Sequence, residues 1–144
     1  MQELIAFTKP LSCVTPTAGV AATSAITGST IDTLGFNGVL FIVQTGTVTA
    51  NAVTSFKVEH SDNADMSANA DIFGTSQTIN DDDDNKVFYL DIRKPVKRFL
   101  RLLISRGTAN AAVAATALVY GPNDAPFTQT ATGETHASPA SGTA

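Results

Sequence analysis

Residues 38–45 read GVLFIVQT, an unbroken apolar run from Val39 to Val43 that turns polar at Gln44 and Thr45. A surface helix repeats its apolar residues every third or fourth position, and a half-covered strand repeats them every second. A short continuous run closed by a turn is the pattern of a strand covered on both sides. The segments around it have period two. In TSFKVEH (54–60), Phe56, Val58 and His60 share one face while Ser55, Lys57 and Glu59 take the other. In KVFYLDI (86–92), Phe88, Leu90 and Ile92 oppose Val87, Tyr89 and Asp91. GVAATSAI (19–26), TIDT (30–33), VKRFLRLLIS (96–105) and AVAATALVY (112–120) read as further strands. The last is rich in Ala, but Val113, Thr116 and Val119 and the flanking Gly and Pro favour extended chain. About seven short strands separated by turn residues predict an all-β fold, an antiparallel β-sandwich or jelly-roll-like barrel.

The chain of 144 residues is sized for one domain with tails. Residues 1–17, with Pro10 and Pro16, read as an extended N-terminal arm, and 18–122 as the sandwich. Residues 123–144 read as a low-complexity C-terminal tail whose one large apolar anchor is Phe127. Cys13 is the single cysteine, so neither an intrachain disulfide nor a cysteine-based zinc site is available. A formal net charge of −4 argues against nucleic acid as a partner. No apolar stretch is long enough to span a membrane as a helix, and the start lacks the layout of a secretory signal.

Catalytic patterns are missing from the sequence. His60 and His136 are the only imidazoles, and no G-x-S-x-G, H-E-x-x-H or Gly-rich phosphate loop is present. The expectation is a protein that is not an enzyme and uses no cofactor and no metal. The run NDDDDNK (80–86) and the stretch HSDNADMSANAD (60–71) are acidic, but neither has the ligand spacing of a calcium loop. Asp81 to Asp84 are therefore expected in a solvated turn. With no Trp and only Tyr89 and Tyr120, aromatic platforms for a sugar are scarce.

KPVKRFLRLLIS (94–105) holds Lys94, Lys97, Arg98 and Arg101, four of the nine basic residues. As a strand it places Arg98, Leu100, Leu102 and Ile104 on one face and Phe99, Arg101 and Leu103 on the other. The basic residues alternate sides, which excludes a membrane-lying stripe. Two readings remain open. The strand is central and its arginine stems cover the core edge, or Phe99, Arg101 and Leu103 meet another subunit. Phe127 in the tail is a further candidate contact.

STIDTLGFNGVLFIVQTGTV, VEHSD and KRFLR, with the Ala/Val-rich last strand, resemble a group of small tailed-bacteriophage virion proteins. The matching positions are Ile31 to Gly35, Gly46, Val58 to Asp62 and Lys97 to Arg101, within residues 29–122. Phe99 stands where Tyr is commoner in that group, and KPVKRF replaces a glycine-containing approach. The resemblance implies capsid decoration (cement) proteins on the exterior of the head, often homotrimers, assembled in the host cytoplasm. It implies as partners the major capsid protein and the chain itself, and it carries over no catalytic residue. A tail or head–tail connector accessory and a host-surface or glycan-binding module are the alternatives.

Overall fold

The computed structural model describes residues 4–16, 24–52, 54–107, 111–124 and 126–133. After a single turn at Leu4–Ala6 come ten strands: β1 (Thr8–Val14), β2 (Ile26–Thr27), β3 (Ile31–Asp32), β4 (Phe36–Val48), β5 (Thr54–Ser61), β6 (Ala70–Asp71), β7 (Gln77–Ile79), β8 (Val87–Arg93), β9 (Phe99–Ser105) and β10 (Ala111–Pro122). They form two antiparallel sheets in a sandwich. One sheet has the order β1-β10-β4-β8. The other is built on the β5–β9 pair, with β2 and β3 along the free side of β9 and β6 and β7 along that of β5.

The core follows from the periodicities. Val39, Phe41 and Val43 of β4 and Ala115, Ala117 and Val119 of β10 point inward and are buried. They meet Phe56 and Val58 of β5 and Leu100, Leu102 and Ile104 of β9, all buried in the same cluster. Phe56 and Phe88 cross the gap between sheets edge to face, with ring centres 5.7 Å apart. Small residues on β10 let the long β4–β10 ladder, from Val48↔Ala111 to Phe36↔Pro122, lie close to the opposite sheet. Gly28 and Ser29 stitch the sheets together: Gly28 N donates to the Leu102 carbonyl and Ser29 N to that of Cys13, each at 2.8 Å. A Cβ on Gly28 would press on the Leu102 oxygen at 3.0 Å and on Cys13 Sγ at 3.1 Å, which accounts for the glycine. Burial pushes the Cys13 thiol up to about 11, so it stays protonated and packs as an apolar group.

One expectation needs correction. Residues 8–14 lie within the segment read as an arm, yet they are the edge strand β1, in register with β10 from Thr8↔Tyr120 to Val14↔Ala115. Pro10 had argued for an arm, but proline is tolerated on an edge strand, where a missing donor costs least. β6 and β7 are two- and three-residue edge pieces with no apolar period to announce them. The strand expected over 19–26 falls mostly outside the described residues, and the paired segment there is Ile26–Thr27.

Candidate interaction surface

The two sheets present different outer faces. On the four-stranded sheet, residues paired across strands share a face, which gives rows running over β10, β4 and β8. These rows are Tyr120–Gly38–Arg93, Leu118–Leu40–Asp91, Thr116–Ile42–Tyr89 and Ala114–Gln44–Val87. Leu40, Ile42 and Leu118 are half-buried at the floor of an open groove of about 680 Å³. Val87 and Tyr89 stand 62% and 68% exposed on one wall, and Leu4, 72% exposed, on another. The unbroken run Val39 to Val43 is thereby explained on one side by the core and on the other by this groove. Gly38 belongs to the same design, because a Cβ there would fall inside the Tyr120 ring. The Tyr120 hydroxyl donates to Asp91 Oδ1 at 2.6 Å. Burial, and then that hydrogen bond, raise its pKa to about 12, so the pair stays intact across the neutral range.

The outer face of the six-stranded sheet carries Phe99, Arg101 and Leu103, side by side on β9 as the alternation predicted. It is a face of paired charges. Arg101 donates to Glu59 Oε2 from Nη2 at 2.7 Å and from Nε at 3.2 Å, and Asn69 Nδ2 adds a third donor at 3.3 Å. Lys57 Nζ donates to Asp71 at 2.8 Å. Arg98 grips Asp32 with two donors at 2.8 and 2.6 Å and lies over the Phe99 ring, 4.8 Å from its centre. Arg98 therefore sits at the strand's start on the surface rather than among Leu100, Leu102 and Ile104.

The fourth predicted contact residue, Phe127, packs edge to face on Phe36 at 5.3 Å. Two residues on, Gln129 Nε2 donates to the carbonyls of Ile5 and Thr8, both at 2.8 Å. The tail is therefore fastened to the start of β1 through Gln129 and to β4 through Phe127. At the opposite edge, Gln77 Nε2 donates to the Tyr89 carbonyl of β8 at 3.1 Å. Phe127 and the Phe99–Arg101–Leu103 group serve different edges and faces of the molecule.

The acidic run is the exposed turn the sequence predicts, with Asp83 alone of the four aspartates buried, and three of its carboxylates also clamp the backbone. Asp84 Oδ1 accepts from Val48 N at 2.6 Å and Asp81 Oδ2 from Asn51 N at 2.8 Å, which ties down the turn after β4. Asp83 is buried, accepts from Asn80 N at 2.7 Å and pairs with Lys86 Nζ at 2.6 Å. Lys86, then the Asn80 amide, hold the Asp83 carboxyl below the ordinary carboxylate range. These oxygens are spent on the protein's own donors. Among the described residues no three His, Cys, Asp or Glu side chains converge as a metal site.

No family model and no curated protein matches the sequence. Seven chains of solved structures do match. One is the crystal structure of XepA, an exported protein of the phage PBSX, with a TM-score of 0.57 and 16% identity. The fold is shared with a phage protein. The alignment covers 96% of this chain and 46% of XepA, so the chain spans about half the length of the protein it matches.

The sequence placed Phe99, Arg101 and Leu103 on one strand face but left Leu40, Ile42, Tyr89 and Leu118 unassigned. Their signal was present in GVLFIVQT, which asks for cover on both sides, and in the outward Val87 and Tyr89 of KVFYLDI.

Proposed function

We propose that this chain is a structural component of a phage particle that attaches to the capsid shell as a decoration protein, acting in several copies. The observation that carries the reading is the contrast between the two outer sheet faces, one an apolar groove and one of paired charges, which offers an assembly two distinct contact surfaces. The shared fold with XepA and the sequence resemblance to small virion proteins support a phage context. The face with Phe99, Arg101 and Leu103 is assigned to the shell. Its charges are paired within the chain, and polar surfaces of that kind suit a protein that folds first and docks afterwards. The number of copies, three by the resemblance, is set by the assembly on the shell. Several modest contacts repeated by symmetry supply avidity without a strong single site. No catalytic role and no cofactor are part of this reading.

The test is co-sedimentation of the purified chain with undecorated heads and, separately, with tails of the phage that encodes it. Saturable binding to heads with a fixed copy number per shell is the expected result. Binding to tails alone, or to neither, overturns it. The printed description of XepA as exported favours a second reading, an exported protein acting at the host surface, and binding to host cells without binding to heads would select it.

A further inference from the structure

We propose that the outer face of the β1-β10-β4-β8 sheet is where this chain packs against a second copy of itself. Three observations converge on that occupant. β4 is apolar on both sides, with Val39, Phe41 and Val43 in the core and Leu40 and Ile42 in the groove, the composition of a strand covered twice. The sandwich supplies one cover. Leu4, exposed on the rim of the same groove, gives the chain an apolar knob as well as an apolar floor.

Charge selects the partner. The protein as a whole carries −4, so two copies repel wherever their acidic loops approach. On the four cross-strand rows the ionised residues are Asp91 and Arg93, which cancel. Two copies meet there without net repulsion, and Arg93 of one can face Asp91 of the other. Asp91 has its Tyr120 donor already, so covering it strands no carboxylate. Nucleic acid or a strongly charged protein finds no handle on this face.

Size sets the strength. Four strands at roughly 4.8 Å spacing and seven residues at roughly 3.3 Å rise give a footprint of about 440 Å² per copy. A standard interface covers about 800 Å² per partner, so this face by itself belongs to the small interfaces of weak, transient association. The tail, fastened at the start of β1, leaves the β8 side, with Val87 and Tyr89, open to the mate.

This inference deepens the multi-copy reading above, and its test is independent of the shell. Sedimentation velocity of the full chain from about 1 to about 200 μM should show conversion to a discrete dimer. Ile42→Glu, at the groove floor, should weaken it at least tenfold. Val87→Lys, at a mostly exposed position where the fold has little to lose, should do the same with an unchanged thermal melt. Arg101→Lys on the opposite face should leave the oligomer intact. A wild type that stays monomeric throughout overturns the proposal, as does an oligomer unmoved by Val87→Lys. A monomer carrying an apolar small molecule or lipid in native mass spectrometry also overturns it, by assigning the groove to that ligand. Failure to self-associate sinks this inference whatever the shells do; failure to bind heads sinks the proposed function whatever the centrifuge shows.

Discussion

The two outer faces of the sandwich solve the same problem in opposite ways. Each covers one side of a sheet whose other side is core. On the six-stranded sheet, Lys57, Glu59, Asp71, Arg98, Arg101 and Asp32 are matched in pairs, so the face is complete within one chain. On the four-stranded sheet Leu40, Ile42 and Leu118 lie under an open groove with Val87 and Tyr89 exposed beside them. A self-satisfied polar face tolerates water indefinitely, whereas an apolar face of this extent gains from being covered. The difference separates a surface on which burial is optional from one on which it is favourable.

The largest effect should come from removing the edge strand that frames the apolar face. Deleting residues 1–12 takes away Thr8 to Ser12, their ladder to β10 and the half-buried Leu11 packed on the core. It also exposes the edge of β10 in the sheet centre. We expect loss of the cooperative melt, or a drop of more than about 10 °C. Deleting 126–144 removes the Phe127 and Gln129 contacts and none of the described strands, and should cost only a few degrees. A chain lacking 1–12 that melts like the full one would return β1 to the status of a dispensable arm.

On the polar face the decisive pair is Glu59–Arg101, whose side chains are 11% and 20% exposed. Glu59→Ala leaves the Arg101 guanidinium and the Asn69 amide without their acceptor in a partly dry site. The cost should be about 1–3 kcal/mol, read as several degrees of melting temperature, with oligomer mass unchanged. A neutral outcome for stability would mean that water replaces the carboxylate freely and that the face is less closed than its distances imply. A change in oligomer mass instead would move the self-contact to this face.

Legibility followed the same division. Strands with a clear period, β5, β8 and β9, were readable because alternation directly encodes which side is wet. β4 was readable as a strand, and its unbroken run stated that both sides need cover, without saying by what. β1 was hidden because Pro10 and a short apolar content look like loop until β10 is there to pair with. The acidic clamp was hidden for a related reason. Asp81, Asp83 and Asp84 each answer a backbone donor 3 to 36 residues away, and consecutive aspartates carry no mark of such partners. Charge pairing across β5 and β9 likewise requires the register Glu59↔Arg101, which only the folded sheet supplies.

The smallest effect, and the finest test of the contrast, concerns the Arg98–Asp32 pair at the rim of the polar face. Arg98 donates two hydrogen bonds to Asp32, which hold its carboxyl below the ordinary value of 3.8. The folded protein thus binds that proton more weakly than the unfolded chain. The pair's contribution is therefore full above 3.8 and fades as pH falls through the lower, folded value. Both side chains are nearly half exposed, at 47% and 44%, so solvent screens the pair and the contribution is under about 1 kcal/mol. Asp32→Asn should lower the melting temperature by no more than about 3 °C at neutral pH, and the gap to wild type should narrow as pH falls below the ordinary carboxylate range. It should leave self-association untouched, because Asp32 faces away from the groove. A gap that persists unchanged in acid would show that the substitution acts through something other than loss of the carboxylate's charge. A gap well beyond that size would show a rim far drier than its exposure indicates, and the polar face would then resemble its apolar counterpart more than the paired charges imply.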